Sequence, residues 1–442
     1  MHTLASLVFD ATLINQILVR MLQTTNRSKH SVCEHRLRVF HVYRVCCVWK
    51  MADFGINKIA RLLVIVVIFH RAAAFDVKCD QTFPSYCFIG AAIDLPANEE
   101  LNIAPMDHSH MVTRFEIAPV SNLKNFPTTI FDTFPQLEAV TLNSANIRTL
   151  APNTFEKAIN LKDLHLKLNK IMKLTKSLFK NAEKLQTLDL SGNEISSIDD
   201  ESFNGLPNLR TLKLNGNRLK VLKTQTFSGL EGLEYLHLYS NKLDTIEPQA
   251  LNGIPKLTEV FFGNNHLRTL PADLFNNTPN LEVTEFSNNH LTHIGDAFIN
   301  CHKIYSLNLE NNPIADIDLV KFAKMISLSS LSLNSTGFQF PDELPTKENI
   351  TTSSSAESLN LGNNNLSNAN IFNHLIMFPE LQRLYLYNNK FTHFNDANDI
   401  KNVLPKINTV DLIGNNFIIN WLRDNYDTFR RLSINILIPR NK

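Results

Sequence analysis

Side chains able to do covalent or metal chemistry are sparse and poorly grouped along the 442 residues. Asp107, His108 and His110 in "MDHSHM" offer a carboxylate and two imidazoles, donor types that can hold a transition metal. No further ligand follows at a telling spacing, so they read as solvated residues on one side of a short strand. No G-x-S-x-G nucleophile turn occurs, and the 13 glycines nowhere form a phosphate-cradling loop. The expectation is therefore a chain with no catalytic residue, no metal and no cofactor. What does cluster is a set of aromatic and basic side chains. Tyr235, His237 and Tyr239 fall in "LEYLHLYSN", Phe261 in "EVFF", Arg383, Tyr385 and Tyr387 in "LQRLYLYNN", and His165 in "LKDLHLKLN". Tyrosine and arginine combine large contact area with a polar end, which is the chemistry of non-covalent protein recognition. Whether they share a surface depends on the elements that carry them.

Those elements are repeats. Leu137, Leu161, Leu185, Leu209, Leu233, Leu257 and Leu281 open units of 24 residues, and later units open at Ile304, Leu328, Ala356, Leu381 and Ile407 with 23- to 28-residue spacing. Twelve units result, preceded by a degenerate one in "FEIAPVSNLKNFPTTIFDTFP". An asparagine stands eight residues into ten of them, at Asn169, Asn193, Asn217, Asn241, Asn265, Asn289, Asn312, Asn364, Asn389 and Asn415; Ala145 and Thr336 break the column. Its short amide can donate and accept at once, so a stacked column can pair the buried N–H and C=O groups of an inward turn from one unit to the next. A second column, Phe131, Phe155, Phe179, Phe203, Phe227, Phe275, Phe298 and Phe322, with Leu251 substituting once, reads as a core spine behind the strands.

The pattern L-x-x-L-x-L-x-x-N-x-L resembles a leucine-rich repeat over residues 112–419. That resemblance implies an α/β repeat solenoid, a horseshoe of about 12–13 repeats with a parallel concave β-sheet. Strand periodicity of two then sends the second, fourth and sixth side chains after each opening leucine onto the concave face. Tyr235, His237, Tyr239 and Phe261 become one exposed aromatic cluster there, and Arg383, Tyr385 and Tyr387 a second, with His165 on the same face. The remaining positions, such as Asp189 and Ser191, read as a solvated polar surface.

Composition narrows the setting. From Phe75 onward there are 33 basic and 39 acidic residues, a net charge of −6, with no basic stripe that would favour nucleic acid. Met51 to Ala74 has the layout of a secretory signal: Lys58 and Arg61, an apolar run from Leu62 to Phe69, then Ala72, Ala73 and Ala74. That run is shorter than the roughly 20 residues a spanning helix needs, and no anchor-length apolar segment lies near Lys442, so no membrane insertion is expected. Cleavage after Ala74 is expected, with residues 1–50 a doubtful extension ahead of the natural start; a translated cytosolic tail is the alternative. Residues 75–111 form a cap in which Cys79 and Cys87 are placed to bridge, and residues 420–442 a second cap, with Trp421, Leu422, Tyr426 and Phe429 at helical spacing. Cys301 occupies a slot held by leucine or isoleucine elsewhere and reads as a buried apolar residue. Asn276, Asn334, Asn349 and Asn365 are glycosylation acceptors by sequence, Asn349 within the polar insertion "PTKENITTSSSAE", which is expected from its composition to be a mobile loop and a proteolytic site.

Signal, paired cysteines in "CDQTFPSYC" and degenerate 24-residue units together resemble the short members of the secreted insect leucine-rich immune proteins. The chain has neither the extra cysteines nor the coiled-coil tail of the longer members, so tail-driven dimerisation does not carry over. The resemblance implies an extracellular binding scaffold for a protein or microbial-surface ligand in innate immune defence; an extracellular matrix or cell-adhesion protein is the alternative. Expression of the whole reading frame in insect cells is expected to deliver into the medium a glycosylated product that begins at Phe75, read by N-terminal sequencing and intact mass. A bare product starting at Met1 and retained in the cytosol would overturn that expectation.

Overall fold

The computed structural model describes residues 74–79, 85–95, 100–103, 108–345, 354–395 and 397–438, all within one compact unit, Ala74–Lys442. The signal segment up to residue 73, the insertion at 346–353 with Asn349, and Asp107 lie outside the described residues.

Fifteen parallel strands follow one another in chain order in a single sheet, each hydrogen-bonded to the strand of the next unit. The register is regular. Leu188 stands opposite Leu212, Leu212 opposite Leu236 and Leu236 opposite Val260, so one apolar column runs through the sheet. Most of these strands are three residues long, such as Thr187–Asp189 and Tyr235–His237. The sheet extends beyond the repeats into both caps. Tyr86–Ile89, which carries Cys87, pairs with Arg114–Ile117, and Asn435–Leu437 pairs with Thr409–Asp411. Behind the sheet the chain returns mainly through turns and two-residue ladders such as Val221–Leu222 against Thr245–Ile246. Helix among the described residues is short, apart from Ile419–Arg431 at the C-terminal end.

A left-handed turn ends each strand. The seventh position of successive units has φ between 52° and 75°, from Ser144 to Gly414. This conformation penalises a Cβ, which accounts for the glycines, asparagines and serines in that column. Leu168 (φ 57°) and Val120 (φ 70°) adopt it regardless. The turn drives the next residue, the ladder asparagine, inward. Asn193 Nδ2 donates to Leu166 O and Leu190 O, both at 2.9 Å, and its Oδ1 accepts the Ile171 N–H at 3.1 Å. Each asparagine thus bonds to its own unit and to the one before. The same arrangement recurs through Asn217 and Asn241 to Asn415, where Nδ2 reaches Leu386 O and Leu412 O. Where the column breaks, the main chain substitutes. The Leu123 N–H goes to Ala145 O at 2.9 Å and the Ile314 N–H to Thr336 O at 3.1 Å, in place of an amide Oδ1.

The phenylalanine spine is buried throughout. Rings of Phe155, Phe179, Phe203 and Phe227 stack with centroids 5.1, 6.1 and 6.5 Å apart; Leu251 interrupts, and Phe275 meets Phe298 at 5.5 Å. Cys79 and Cys87 are bridged, with Cα atoms 5.1 Å apart, tying the segment before the sheet to its first strand. Cys301 is buried and its thiol pKa is pushed up to about 12 by desolvation, as suits an inert core residue. On the C-terminal helix Phe429 is buried and Trp421 packs edge-on against it at 6.3 Å. Tyr426 does not join that stripe: it is 50% exposed, because the stripe meeting the last repeat is narrower than helical spacing alone suggested.

Replacing one ladder asparagine isolates its role. In Asn217→Ala, Leu190 O and Leu214 O each keep one amide donor, from Asn193 and Asn241, but the Ile195 N–H loses its acceptor and is met again only if the main chain shifts as it does at Ala145. A loss of about 2–4 kcal/mol is expected in urea unfolding, and a smaller one for Asn217→Thr, which imitates Thr336. A cost no greater than that of a surface substitution would contradict the ladder's structural role.

Candidate functional site

Concave side chains lie in three rows set by the register. The second-position row runs Asp163, Thr187, Thr211, Tyr235, Glu259, and the fourth-position row His165, Asp189, Lys213, His237, Phe261, Glu285. All eight residues singled out from the sequence project from this face, but only four of them come together.

Tyr235, His237, Tyr239 and Phe261 form that group, on two neighbouring strands. The imidazole of His237 stacks on the Phe261 ring, centroids 5.1 Å apart and 18° between planes, and meets Tyr239 edge-on at 6.2 Å. Tyr235 and Tyr239 are each 37% exposed, so both rings remain open to solvent. His237 is held below its ordinary pKa of 6.5, first by burial and then by Lys213 on the adjacent strand, with Asp189 opposing. The imidazole is therefore neutral at physiological pH, which suits a ring packed against another.

Arg383, Tyr385 and Tyr387 share one strand and its following turn, five strands beyond that of Phe261, or about 24 Å at the usual inter-strand spacing. This second group is less open than expected. Tyr387 lies back over the preceding unit, so that a Cβ at Gly362 would come within 2.6 Å of its ring; Asn360 Nδ2 donates to its hydroxyl at 3.4 Å. Only a glycine leaves room for that placement.

His165 stands apart, three strands before His237, or about 14 Å. It lines a groove of about 610 Å³ with Tyr86, Arg114, Glu116 and Asp163. Tyr86 donates its hydroxyl proton to Glu116 Oε2 at 2.6 Å, and its pKa is pushed up to about 12 by burial and by that bond. The sequence frame missed this polar group because Tyr86 lies in the cap strand, ahead of any recognisable repeat.

Two sequence expectations need correction. Asp189 and Ser191 are not solvated. Asp189 is 8% exposed and its Oδ1 accepts from the Ser191 N–H and hydroxyl, folding the pair down onto the sheet. Asn308, Asn360 and Asp411 accept the sixth-position N–H of their units in the same way, so part of the polar face serves the fold. His108 and His110 are not on a strand: His110 lies in a 3-10 turn at Ser109–Met111 and His108 is the residue before it, with rings 6.4 Å apart. Among the described residues no group of three or more His, Cys, Asp or Glu side chains could hold a metal ion, and no helix is long and apolar enough to cross a membrane. Of the acceptor asparagines, Asn276 and Asn365 are exposed, and Asn334 is half-buried on the concave face.

Comparison with known proteins agrees with this architecture. A family profile described as leucine rich repeat matches residues 159–219, 207–267 and 255–314. No curated protein sequence matches the chain. Among solved structures, the APL1 leucine-rich repeat domain is similar with a TM-score of 0.66 at 20% identity, covering 83% of this chain and 96% of that one. A chain of the LRIM1/APL1C complex is similar with a TM-score of 0.59 at 20% identity, covering 83% and 68%. A chain of the Toll–Spatzle complex of Drosophila gives 0.57 at 21% identity, covering 78% of this chain and 48% of the other. At these identities the likeness shows the fold alone: this is a leucine-rich repeat solenoid whose parallel sheet forms the concave face of a horseshoe.

Proposed function

We propose that the chain is a secreted, non-enzymatic scaffold that recognises a protein ligand in innate immune defence, with Tyr235, His237, Tyr239 and Phe261 as the centre of contact. The observation that carries this reading is the pre-stacked His237–Phe261 pair flanked by two exposed tyrosines. Rings already held in place lose little rotational freedom when a partner covers them, so more of the burial energy remains as affinity. Large contact area with polar tips is also the composition of interface hot spots. The groove at His165 and the group at Arg383 flank this centre without touching it.

The setting draws on other support. A leader of secretory layout beginning at Met51, a Cys79–Cys87 bridge and exposed acceptor asparagines fit an extracellular protein. Similar solenoids occur in the LRIM1/APL1C complex and in the complex of Toll with Spatzle, described as a molecular hub in Drosophila development and innate immunity. A protein ligand follows more directly from these than a microbial-surface one.

Two outcomes test the contact. A partner captured from haemolymph or conditioned medium by the wild-type chain should be kept by His165→Ala and weakened about 30-fold or more by Tyr235→Ala or Phe261→Ala, the loss of about 2 kcal/mol typical of a hot spot. Equal binding by all three variants, measured by surface plasmon resonance, would move the contact off this cluster. Binding should also depend on pH. A partner that covers His237 desolvates it further, so the complex holds fewer protons than the free chain. Affinity should be full above pH 6.5, the ordinary histidine value, and fall as the pH drops through the depressed value of His237. His237→Gln should flatten that profile.

A further inference from the structure

The asparagine ladder and the N-x-S/T acceptor rule compete for one position. In a unit with asparagine at the eighth place, an asparagine at the sixth cannot be an acceptor, because the residue two places on is not serine or threonine; Asn215-Gly216-Asn217 is an example. At the other ladder break, Asn143-Ser144-Ala145, no acceptor arises either. Only in the unit opened by Leu328 does the break create one, Asn334-Ser335-Thr336.

Thr336 fills the ladder slot at reduced bonding. It is buried, and its hydroxyl donates to Leu333 O at 2.8 Å, where Asn312 in the preceding unit donates to Phe286 O, Leu309 O and Glu310 O. Asn334 itself sits in the sixth-position row of the concave face. Its Oδ1 accepts from Asn363 Nδ2 at 2.7 Å, which fixes the amide with Nδ2 on the opposite branch; among the described residues no bond from Nδ2 is seen. The surroundings are small and polar. Ser306, Asn308, Ser330, Ser332, Ser358 and Asn360 occupy the second and fourth positions of three consecutive strands, and Glu310, the neighbour of Asn334 in its row, accepts from the Ser332 hydroxyl at 3.2 Å on the N-terminal side. At one side of this floor, Gly362 pairs with Ser335 through a 3.0 Å bond, and the Tyr387 ring lies over that glycine.

We infer that Asn334 carries an N-linked glycan that rests on this floor against the Tyr387 ring and closes the C-terminal part of the concave face, leaving the Tyr235–Phe261 cluster as the open part. The inference rests on the extracellular reading above. The donor is a lipid-linked diphosphate oligosaccharide. The sugar C1 bond to the diphosphate oxygen breaks as the bond from C1 to Nδ2 forms, Nδ2 gives up one proton, and the lipid diphosphate leaves. Transfer precedes folding, so the half-buried position of Asn334 in the folded chain does not obstruct it. Tyr387 then offers a ring face to the C–H face of the first sugar, which makes it a positioning residue for the glycan and removes it from the partner contact.

The full chain, secreted from insect cells held to high-mannose glycans, tests this by glycopeptide mass spectrometry and by timed endoglycosidase release. Asn334 should be occupied in wild type and in Thr336→Ser, and bare in Thr336→Asn, a variant that also restores the ladder amide and should raise the thermal midpoint. In the native protein its glycan should be released several-fold more slowly than that of exposed Asn276 or Asn365, the difference vanishing on denaturation and shrinking in Tyr387→Ala. A secreted product with Asn334 bare overturns this inference and leaves the binding scaffold intact. An occupied Asn334 released as fast as the exposed sites overturns the resting place on the floor. An unglycosylated chain kept in the cytosol overturns the extracellular reading along with the inference.

Discussion

Every inward turn of this solenoid must satisfy buried main-chain groups that no strand can reach, and in ten of the twelve units the asparagine amide is what does so. Strands of three residues supply too few bonds to hold a sheet on their own. The ladder adds one acceptor and at least two donations per unit, always shared with the preceding unit, as at Asn193. Stability is therefore built from nearest-neighbour terms along the axis, with the phenylalanine spine as the apolar counterpart. Ala145 and Thr336 show what is indispensable. The carbonyl partners of the amide can share other donors, but the N–H of Leu123 and of Ile314 still finds an oxygen, supplied by the main chain itself. An orphaned donor is the costlier loss.

Because ladder and spine carry the fold, the concave face is released from most structural duty, though not from all of it. Asp189, Asn308, Asn360 and Asp411 turn back to cap the N–H two residues on, which flattens the surface around them. Against that flattened background the tyrosines at 235 and 239 rise, and Phe261 is fixed by His237. The face is uneven in consequence: a polar groove at Tyr86 and His165, an aromatic centre, a floor of small residues, and a tyrosine laid across Gly362.

The two ends close the stack differently. The first strand of the sheet, Tyr86–Ile89, holds Cys87, fully buried and bridged to Cys79. At the other end a helix with Phe429 and Trp421 packs its tryptophan against Phe394 and Phe417 of the last repeats, and the chain then returns to add one more strand, Asn435–Leu437. Both caps extend the sheet and do not merely cover it, so the solenoid is two strands longer than its repeats.

The repeat frame, the ladder, the spine and the outward direction of the candidate site were all legible in the residues, because each follows from a local rule: a period of two in strands, a short amide where a turn goes inward, a bulky ring at one place in eight of the units. Cys79 and Cys87, eight residues apart, were equally readable. Distances across the sheet were not. Which of the eight outward residues meet depends on register between strands 23 or more residues apart, so His165 fell away from the aromatic cluster and Tyr387 folded onto Gly362 only in three dimensions. Burial of Asp189 and exposure of Tyr426 were hidden for the same reason: a side chain's type and spacing say which way it points, while its neighbours on adjacent units decide whether water still reaches it.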